Sequence, residues 1–103
     1  MKYIKKFEQN IDLPERGDYV LMNSYGISEV EYFVTHNYGV YLNAYIDKLT
    51  KDPKIRVRYE NIPGNIALFF HDDTITFDME LLVAYGKTIE ELEMKLKANK
   101  FNL

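Results

Sequence analysis

The chain has no cysteine and no tryptophan, and only two histidines occur among its 103 residues. Without thiols, a disulfide scaffold, a thiolate metal site and a cysteine nucleophile are excluded, and a chain free of cysteine is typical of a reducing compartment. Two imidazoles are too few for a histidine-rich metal centre. No apolar run approaches the length of about 18 residues that a membrane-spanning helix needs. We therefore predict a cytoplasmic protein that does not enter a membrane.

The aromatic content is high, with nine tyrosines and six phenylalanines, and 47% of the residues are hydrophobic. Ordering a chain of 103 residues costs on the order of 150 kcal/mol of conformational entropy, so most of these rings must be buried to offset it. A chain of this length builds one core. We predict a single domain over residues 1–103.

The net charge of −3 conceals two segments of opposite sign. The basic segment, residues 48–58, contains five basic residues and one acid. The acidic segment, residues 60–93, contains eight acids and the single basic residue Lys87. Such segments are usually solvated faces that keep a protein soluble, but a basic segment can also bind an anionic partner, and an acidic one a basic partner.

Short apolar and alternating runs predict the strands. Residues 19–22 form an apolar run after a turn-rich stretch, which predicts a buried strand. Apolar residues alternate with polar ones over 40–46 and again over 55–60, and two half-buried strands joined by a polar loop predict a β-hairpin. β-Branched residues predict a further short strand at 74–77. Residues 79–85 fit a strand and a helix equally well.

Capping signals predict two helices. Ser28 is followed by an acid three residues later, and so is Thr88, which is the spacing of a capping box. Apolar residues recur at helical spacing after both, so helices are predicted over 29–37 and 89–99. The short apolar run at 66–70 predicts a single helical turn. The second helix carries apolar residues on one face: Ile89, Leu92 and Leu96.

One face of the predicted hairpin consists of tyrosines and arginines. Pairing Ile46 with Ile55 is the simplest register, and the loop between them is long enough to leave a shift of two residues open. With that pairing the alternating apolar residues point inward, and Tyr45 lies beside Arg56. The residues directed outward, which we call the hairpin face, are Tyr41, Tyr45, Arg56 and Arg58, next to Lys48, Lys51 and Lys54 of the loop.

Three stretches carry a resemblance to known proteins. The opening Gly17-Asp18-Tyr19-Val20 resembles the turn and first strand of SH3-like barrels. The run 57–63 and the ending Lys100-Phe101-Asn102-Leu103 resemble small proteins of bacteriophages and mobile elements. The short strands around a small core predict an α+β fold that is mainly β, a partly open β-barrel with a helical insert and a C-terminal helix, and the resemblance implies that this barrel is SH3-like. The insert at residues 26–37 departs from a minimal SH3-like barrel. The resemblance implies no activity for any residue.

The only candidate metal-binding motif in the sequence is His71-Asp72-Asp73. Imidazole and carboxylate groups could hold a divalent cation, with Asp78 and Glu80 as further ligands. A turn explains the same residues better, because Asp side chains bond to their own backbone in turns. No phosphate-binding glycine loop and no nucleophile motif is present in the sequence. We predict no catalytic residue, no cofactor and no metal.

Three surfaces are candidates for binding a partner. The hairpin face has the residue types of protein hot spots and of single-strand nucleic-acid sites, although its tyrosines could also pack under the helices. The predicted insert helix directs Tyr32 towards its edge, where an exposed ring would mark a contact. The acidic segment could imitate a phosphate backbone through spaced carboxylates. The residues of that third surface are Asp72, Asp73, Asp78, Glu80, Glu90, Glu91 and Glu93.

We predict a non-enzymatic interaction protein. From the resemblance to mobile-element proteins we expect it to bind and inhibit a host protein by occlusion, and a nucleic-acid-binding effector of a CRISPR-type antiviral defence is a plausible partner. The alternative is an accessory protein that binds nucleic acid through the hairpin face. The sequence leaves open whether the hairpin face or the acidic segment makes the contact, and it does not give the oligomeric state.

Overall fold

A computed structural model describes the backbone of residues 13–23 and 26–101, and the side chains of these residues as far as residue 98. The described chain contains five strands, two α-helices and two single 3₁₀ turns. In chain order these are β1 (Tyr19–Met22), α1 (Ser28–Thr35), β2 (Gly39–Ile46), β3 (Pro53–Arg58), the turn Ala67–Phe69, β4 (Thr74–Asp78), the turn Met79–Leu81, β5 (Leu82–Gly86) and α2 (Ile89–Phe101).

The strands form one antiparallel sheet in the order β4-β3-β2-β1-β5. Each of the first four strands pairs with its neighbour in sequence, and β5 returns to pair with β1. Because β4 and β5 are the two edges and are not paired with each other, the sheet is not closed. The predicted α+β class with mainly β structure is confirmed. The undecided segment 79–85 begins as a 3₁₀ turn and continues as β5.

The inner face of the sheet carries the main core. Helix α1 packs here because its apolar residues recur at helical spacing and lie on one side. Phe33 of α1 contacts Tyr59, with 5.5 Å between ring centroids, and Phe70 closes the aromatic cluster. The buried residues of this core are Val20, Met22, Val30, Phe33, Val34, Tyr41, Ile55, Val57, Tyr59, Ile66, Ile75 and Phe77.

The opposite, outer face of the sheet receives α2. This helix packs against β5 and β1, where Leu92 is fully buried. Gly86 permits the close approach, because a Cβ atom there would lie 2.8 Å from the backbone nitrogen of Leu92. Of the three apolar residues predicted to share one helix face, Leu92 is buried, Leu96 is half-buried and Ile89 is exposed.

The cap predicted at Thr88 is present, but its second bond comes from the amide of the preceding residue and not from the Thr88 amide, as a full capping box requires. The Thr88 hydroxyl oxygen accepts a hydrogen bond from the Glu91 amide at 3.1 Å, and the Glu91 carboxylate accepts one from the Lys87 amide at 3.0 Å. The cap predicted at Ser28 is wrong, because α1 already begins at Ser28 and no side chain caps it. The spacing alone does not distinguish a cap from a first-turn residue.

The hairpin of β2 and β3 has a different register from the predicted one. Ile46 pairs with Pro53, two residues away from the predicted partner Ile55. The cause lies in the loop, where the Asp47 amide donates to the Asp52 carbonyl at 2.9 Å. This bond closes the loop early, so pairing begins at the first residue after it.

A β-bulge at Leu42 changes the direction of the side chains along β2. Tyr41 pairs with Val57 and Asn43 with Arg56, so β2 has one extra residue between the two pairs. An extra residue reverses the alternation of side chains beyond it. The prediction that Tyr41 faces outward is therefore wrong, since its side chain is only 6% exposed and belongs to the core.

Candidate binding surface on the outer face of the sheet

Helix α2 packs on the outer face over β5 and β1. The rest of the outer face, formed by β2, β3 and β4, carries polar side chains. Cross-strand pairing places Arg56 between Asn43 and Thr76, and Lys54 between Tyr45 and Asp78. Arg58, two residues further along β3, lies on the same face and is exposed. We call this surface the open face, and its residues are Asn43, Tyr45, Lys54, Arg56, Arg58 and Thr76.

The open face has a positive charge that is only partly neutralised. Lys54 forms an ion pair with the Asp78 carboxylate, and this hydrogen bond raises the pKa of Lys54 above its ordinary value. Arg56 and Arg58 form no ion pair and no side-chain hydrogen bond with any residue that the structure describes. Two uncompensated guanidinium groups therefore lie on alternate positions of one strand, about 7 Å apart at the backbone.

A groove of about 600 Å³ opens beside Arg56. Its walls come from the open face and from the segment that leads into β4, which adds the half-exposed ring of Phe69 and the imidazole of His71. Tyr45, with 38% of its surface exposed, lines the same groove. Among the described residues that line it, none carries a carboxylate. The groove therefore offers polar hydrogen-bonding groups, one guanidinium cation, the imidazole of His71 and the rings of Tyr45 and Phe69.

The structure brings together three of the four residues predicted for the hairpin face. Tyr45, Arg56 and Arg58 lie on one face, although Tyr45 is opposite Lys54 rather than Arg56. Tyr41 lies on the other side of the sheet, and its burial raises the pKa of its hydroxyl. The hairpin face therefore keeps Tyr45, Arg56 and Arg58 and is smaller than the four-residue surface that the sequence predicted.

The turn predicted at His71-Asp72-Asp73 is confirmed. His71 and Thr74 exchange two backbone hydrogen bonds of 2.9 Å, and the two aspartates between them have φ values of 51° and 63°. Two consecutive left-handed residues form the tight turn of a β-hairpin, and aspartate tolerates this conformation better than most residues. In the described chain no group of three or more His, Cys, Asp or Glu side chains is placed to hold a metal ion.

Four of the seven acidic residues predicted as a third surface lie at the two ends of β4, and the other three lie on α2. Asp72 and Asp73 precede the strand, while Asp78 ends it and Glu80 lies in the 3₁₀ turn that follows. Asp73 and Asp78 are five positions apart along extended chain, which separates the two groups by about 17 Å. Asp78 is also neutralised by Lys54. The four carboxylates therefore do not form one continuous patch.

Tyr32 is exposed, as predicted, but on the opposite side of the domain from the open face. It lies on α1, which covers the inner face, and 68% of its surface is accessible. Its ring stacks on His36, with 4.1 Å between the ring centroids. Tyr32 and the open face are therefore two separate surfaces.

The structure shows two exposed features that the sequence analysis missed. Leu49, 93% exposed, lies at the tip of the β2–β3 loop, where the Asp47 carboxylate accepts hydrogen bonds from the Leu49 and Thr50 amides at 2.8 and 3.1 Å. These bonds lower the pKa of Asp47. An aspartate followed by a polar loop is a recognisable signal for such a turn. The second feature is the contribution of Phe69 and His71 to the groove, which no local signal in the sequence indicates.

Comparisons with protein-family models, with curated proteins and with solved structures give no match for this chain. Within the part of the chain that the structure describes, no helix combines the length and the apolar character needed to cross a membrane. The open face, with its uncompensated arginines and its groove, is the surface from which a function can be argued.

Proposed function

We propose that the protein is a non-enzymatic interaction protein that binds an anionic surface of a partner protein through the open face. The observation that carries this proposal is the placement of Arg56 and Arg58 side by side without a described counter-ion, next to the half-exposed ring of Tyr45. Arginine and tyrosine are the residues that most often dominate the binding energy of protein interfaces. Carboxylates on a partner would relieve the repulsion between the two guanidinium groups.

The wider context of the proposal comes from the sequence resemblance. A small five-stranded antiparallel sheet with α1 inserted between β1 and β2 supports an SH3-like, partly open barrel of the kind found in small proteins of bacteriophages and mobile elements. In this proposal the protein inhibits a host protein by covering part of its surface, and the partner is an effector of a CRISPR-type antiviral defence. The wide separation of the acidic residues favours the open face over the acidic segment as the contact.

The test is capture of the host protein by the full chain and by matched charge variants. We expect the double variant Arg56→Glu/Arg58→Glu to lose a partner that the unchanged protein binds stoichiometrically. The matched single variants Arg58→Glu and Lys97→Glu make the same change in net charge as each other. Arg58→Glu should weaken the binding of the partner, whereas Lys97→Glu, at an exposed position on α2, should leave it unchanged. A partner that the double arginine variant still binds, with all variants folded, would refute the proposal.

Nucleic-acid binding is the second candidate, and the same two arginines favour it. Guanidinium groups neutralise phosphates, and the Tyr45 ring could stack on a base. Binding of a labelled single-stranded oligonucleotide should then weaken steeply between about 50 and 200 mM salt. The net charge of −3 opposes this candidate, because domains that bind nucleic acid are usually basic. Under the first proposal no such binding is expected.

A further inference from the structure

The groove beside Arg56 is lined by groups that can donate hydrogen bonds, and Arg56 is the one among its described lining residues whose side chain donates only. Arg56 lies between Asn43 and Thr76, and Tyr45 and His71 line the same groove. A guanidinium group has five N–H donors, and no described side chain accepts from Arg56. A ligand that pairs with Arg56 must therefore supply acceptors, and a negatively charged acceptor gives the stronger hydrogen bonds.

The distance between the two arginines matches the distance between alternate residues of an extended peptide. Arg56 and Arg58 are separated by one residue on an extended strand, so their backbone positions lie about 7 Å apart. An extended peptide has the same repeat, and acidic residues at alternate positions present their carboxylates at this distance. Each carboxylate can then form two parallel hydrogen bonds with one guanidinium group.

The positively charged part of the open face, formed by Lys54, Arg56 and Arg58 on β3, is short and has acidic residues at both ends. At one end Asp78 pairs with Lys54, and at the other the exposed turn of Asp72 and Asp73 lies next to the end of β3. The Tyr59 amide donates to the Asp73 carbonyl at 2.9 Å, which fixes that turn beside Arg58. A nucleic-acid backbone laid along β3 would pass both acidic ends, whereas a segment with two carboxylates fits between them.

We infer that the groove beside Arg56 is a binding site for an extended acidic peptide segment with carboxylates at alternate positions. This inference rests on the proposed function and specifies the chemistry that the partner protein presents to the open face. The first carboxylate binds Arg56 within the groove and the second binds Arg58. The rings of Tyr45 and Phe69 contact the peptide residues that flank the first carboxylate.

The test titrates the isotope-labelled full chain with each of three blocked pentapeptides at millimolar concentration. Binding is measured from the NMR chemical shifts of the backbone amides of the protein. The first peptide has glutamates at its second and fourth positions, the second has the same composition with adjacent glutamates, and the third has glutamines instead. We expect the first peptide to shift the resonances of Asn43, Arg56 and Thr76. It should bind about tenfold more tightly than the glutamine peptide. The isomer with adjacent glutamates should be intermediate.

Two variants assign the binding to the site. Arg56→Gln should weaken the first peptide about tenfold, while Lys97→Gln, at an exposed position on α2, should leave binding unchanged. Equal binding of the glutamate and glutamine peptides, or shifts confined to another surface, would overturn the inference. If a single-stranded oligonucleotide binds more tightly than the peptide and displaces it, the inference is wrong and the site binds nucleic acid instead. If no peptide binds while the Arg56→Glu/Arg58→Glu variant still loses the host protein, this inference fails and the proposed function stands.

Discussion

One part of the outer face of the sheet is covered by a helix, and the other part is open. In the covered part β5 carries the small residues Ala84 and Gly86, the backbone of α2 approaches Gly86 closely, and Leu92 of α2 is fully buried. In the open part the strands carry long polar side chains such as Arg56 and Arg58. A helix packs closely only where its side chains find a groove between those of the sheet. The size of the strand residues therefore decides where α2 docks.

The two parts also differ in how their polar groups are satisfied. In the covered part the Tyr38 hydroxyl donates to the Glu93 carboxylate at 3.1 Å, and Lys95 donates to a backbone carbonyl of β5 at 2.9 Å. In the open part Arg56 and Arg58 have no described partner. Polar side chains in the covered part therefore link α2 to the rest of the fold, whereas the two arginines of the open part make no described side-chain hydrogen bond or ion pair.

The largest effect is expected from Leu92→Ala in the covered part. Leu92 is fully buried, so its truncation should lower the free energy of unfolding by about 3 kcal/mol. Urea denaturation followed by circular dichroism measures this change. Met94→Ala is the matched control, because Met94 lies on the same helix and is 71% exposed, and it should change stability by less than about 0.5 kcal/mol. Equal effects of the two substitutions would show that α2 does not dock through Leu92.

A smaller loss is expected from Gly86→Ala. The new Cβ would lie 2.8 Å from the Leu92 backbone nitrogen, so the strand and α2 must separate, at a cost of about 2 kcal/mol. Gly64→Ala is the control, because no atom lies within 4 Å of a Cβ there. The difference in urea midpoint between the two alanine variants measures how much stability is lost when β5 and α2 can no longer approach closely. A Gly86→Ala protein as stable as the Gly64→Ala protein would contradict it.

In the open part, Arg56→Gln/Arg58→Gln should leave the free energy of unfolding unchanged or slightly raised. The substitution removes no described hydrogen bond or ion pair, and it relieves repulsion between like charges on one strand. The same urea experiment provides the measurement. A loss of stability as large as that of Leu92→Ala would mean that the arginines hold the fold together, and the difference between the two parts of the face would disappear.

Local patterns in the sequence were sufficient to predict most elements of the fold, although they left residues 79–85, the segment that continues into β5, undecided between strand and helix. The strand at 19–22, the helix after Thr88 and the turn at Asp72 and Asp73 each depend on residues close in sequence, and each is present. A periodic pattern reports how one segment contacts its surroundings, and it needs no knowledge of which segment lies opposite. The elements were therefore accessible before the pairing of the strands was known.

The candidate site was predicted only in part because it depends on pairing between distant segments. The bulge at Leu42 reverses the side-chain alternation of β2 between Tyr41 and Tyr45, so the simple alternation predicts one of these tyrosines correctly and the other wrongly. The groove also needs Phe69 and His71, which reach Arg56 only because β4 pairs with β3. Bulges and long-range pairing leave no periodic signal in a single sequence.

The smallest effect concerns the β2–β3 loop that adjoins the open face, and it depends on pH. Hydrogen bonds from the Thr50 and Leu49 amides hold the pKa of Asp47 below its ordinary value. Stability from a lowered carboxyl pKa is present above the unfolded value and is lost as the pH falls through the folded value. The stability difference between the unchanged protein and Asp47→Asn should therefore shrink below about pH 4.

Urea titrations of both proteins at neutral and acidic pH measure this dependence, and hydrogen exchange at the Leu49 amide reports it locally. Asp52→Asn is the matched control, since Asp52 lies in the same loop and its carboxylate accepts no described hydrogen bond. That control should follow the pH dependence of the unchanged protein. If Asp47→Asn also follows it, the carboxylate does not hold the loop, and Leu49 is not presented beside the open face by a fixed turn.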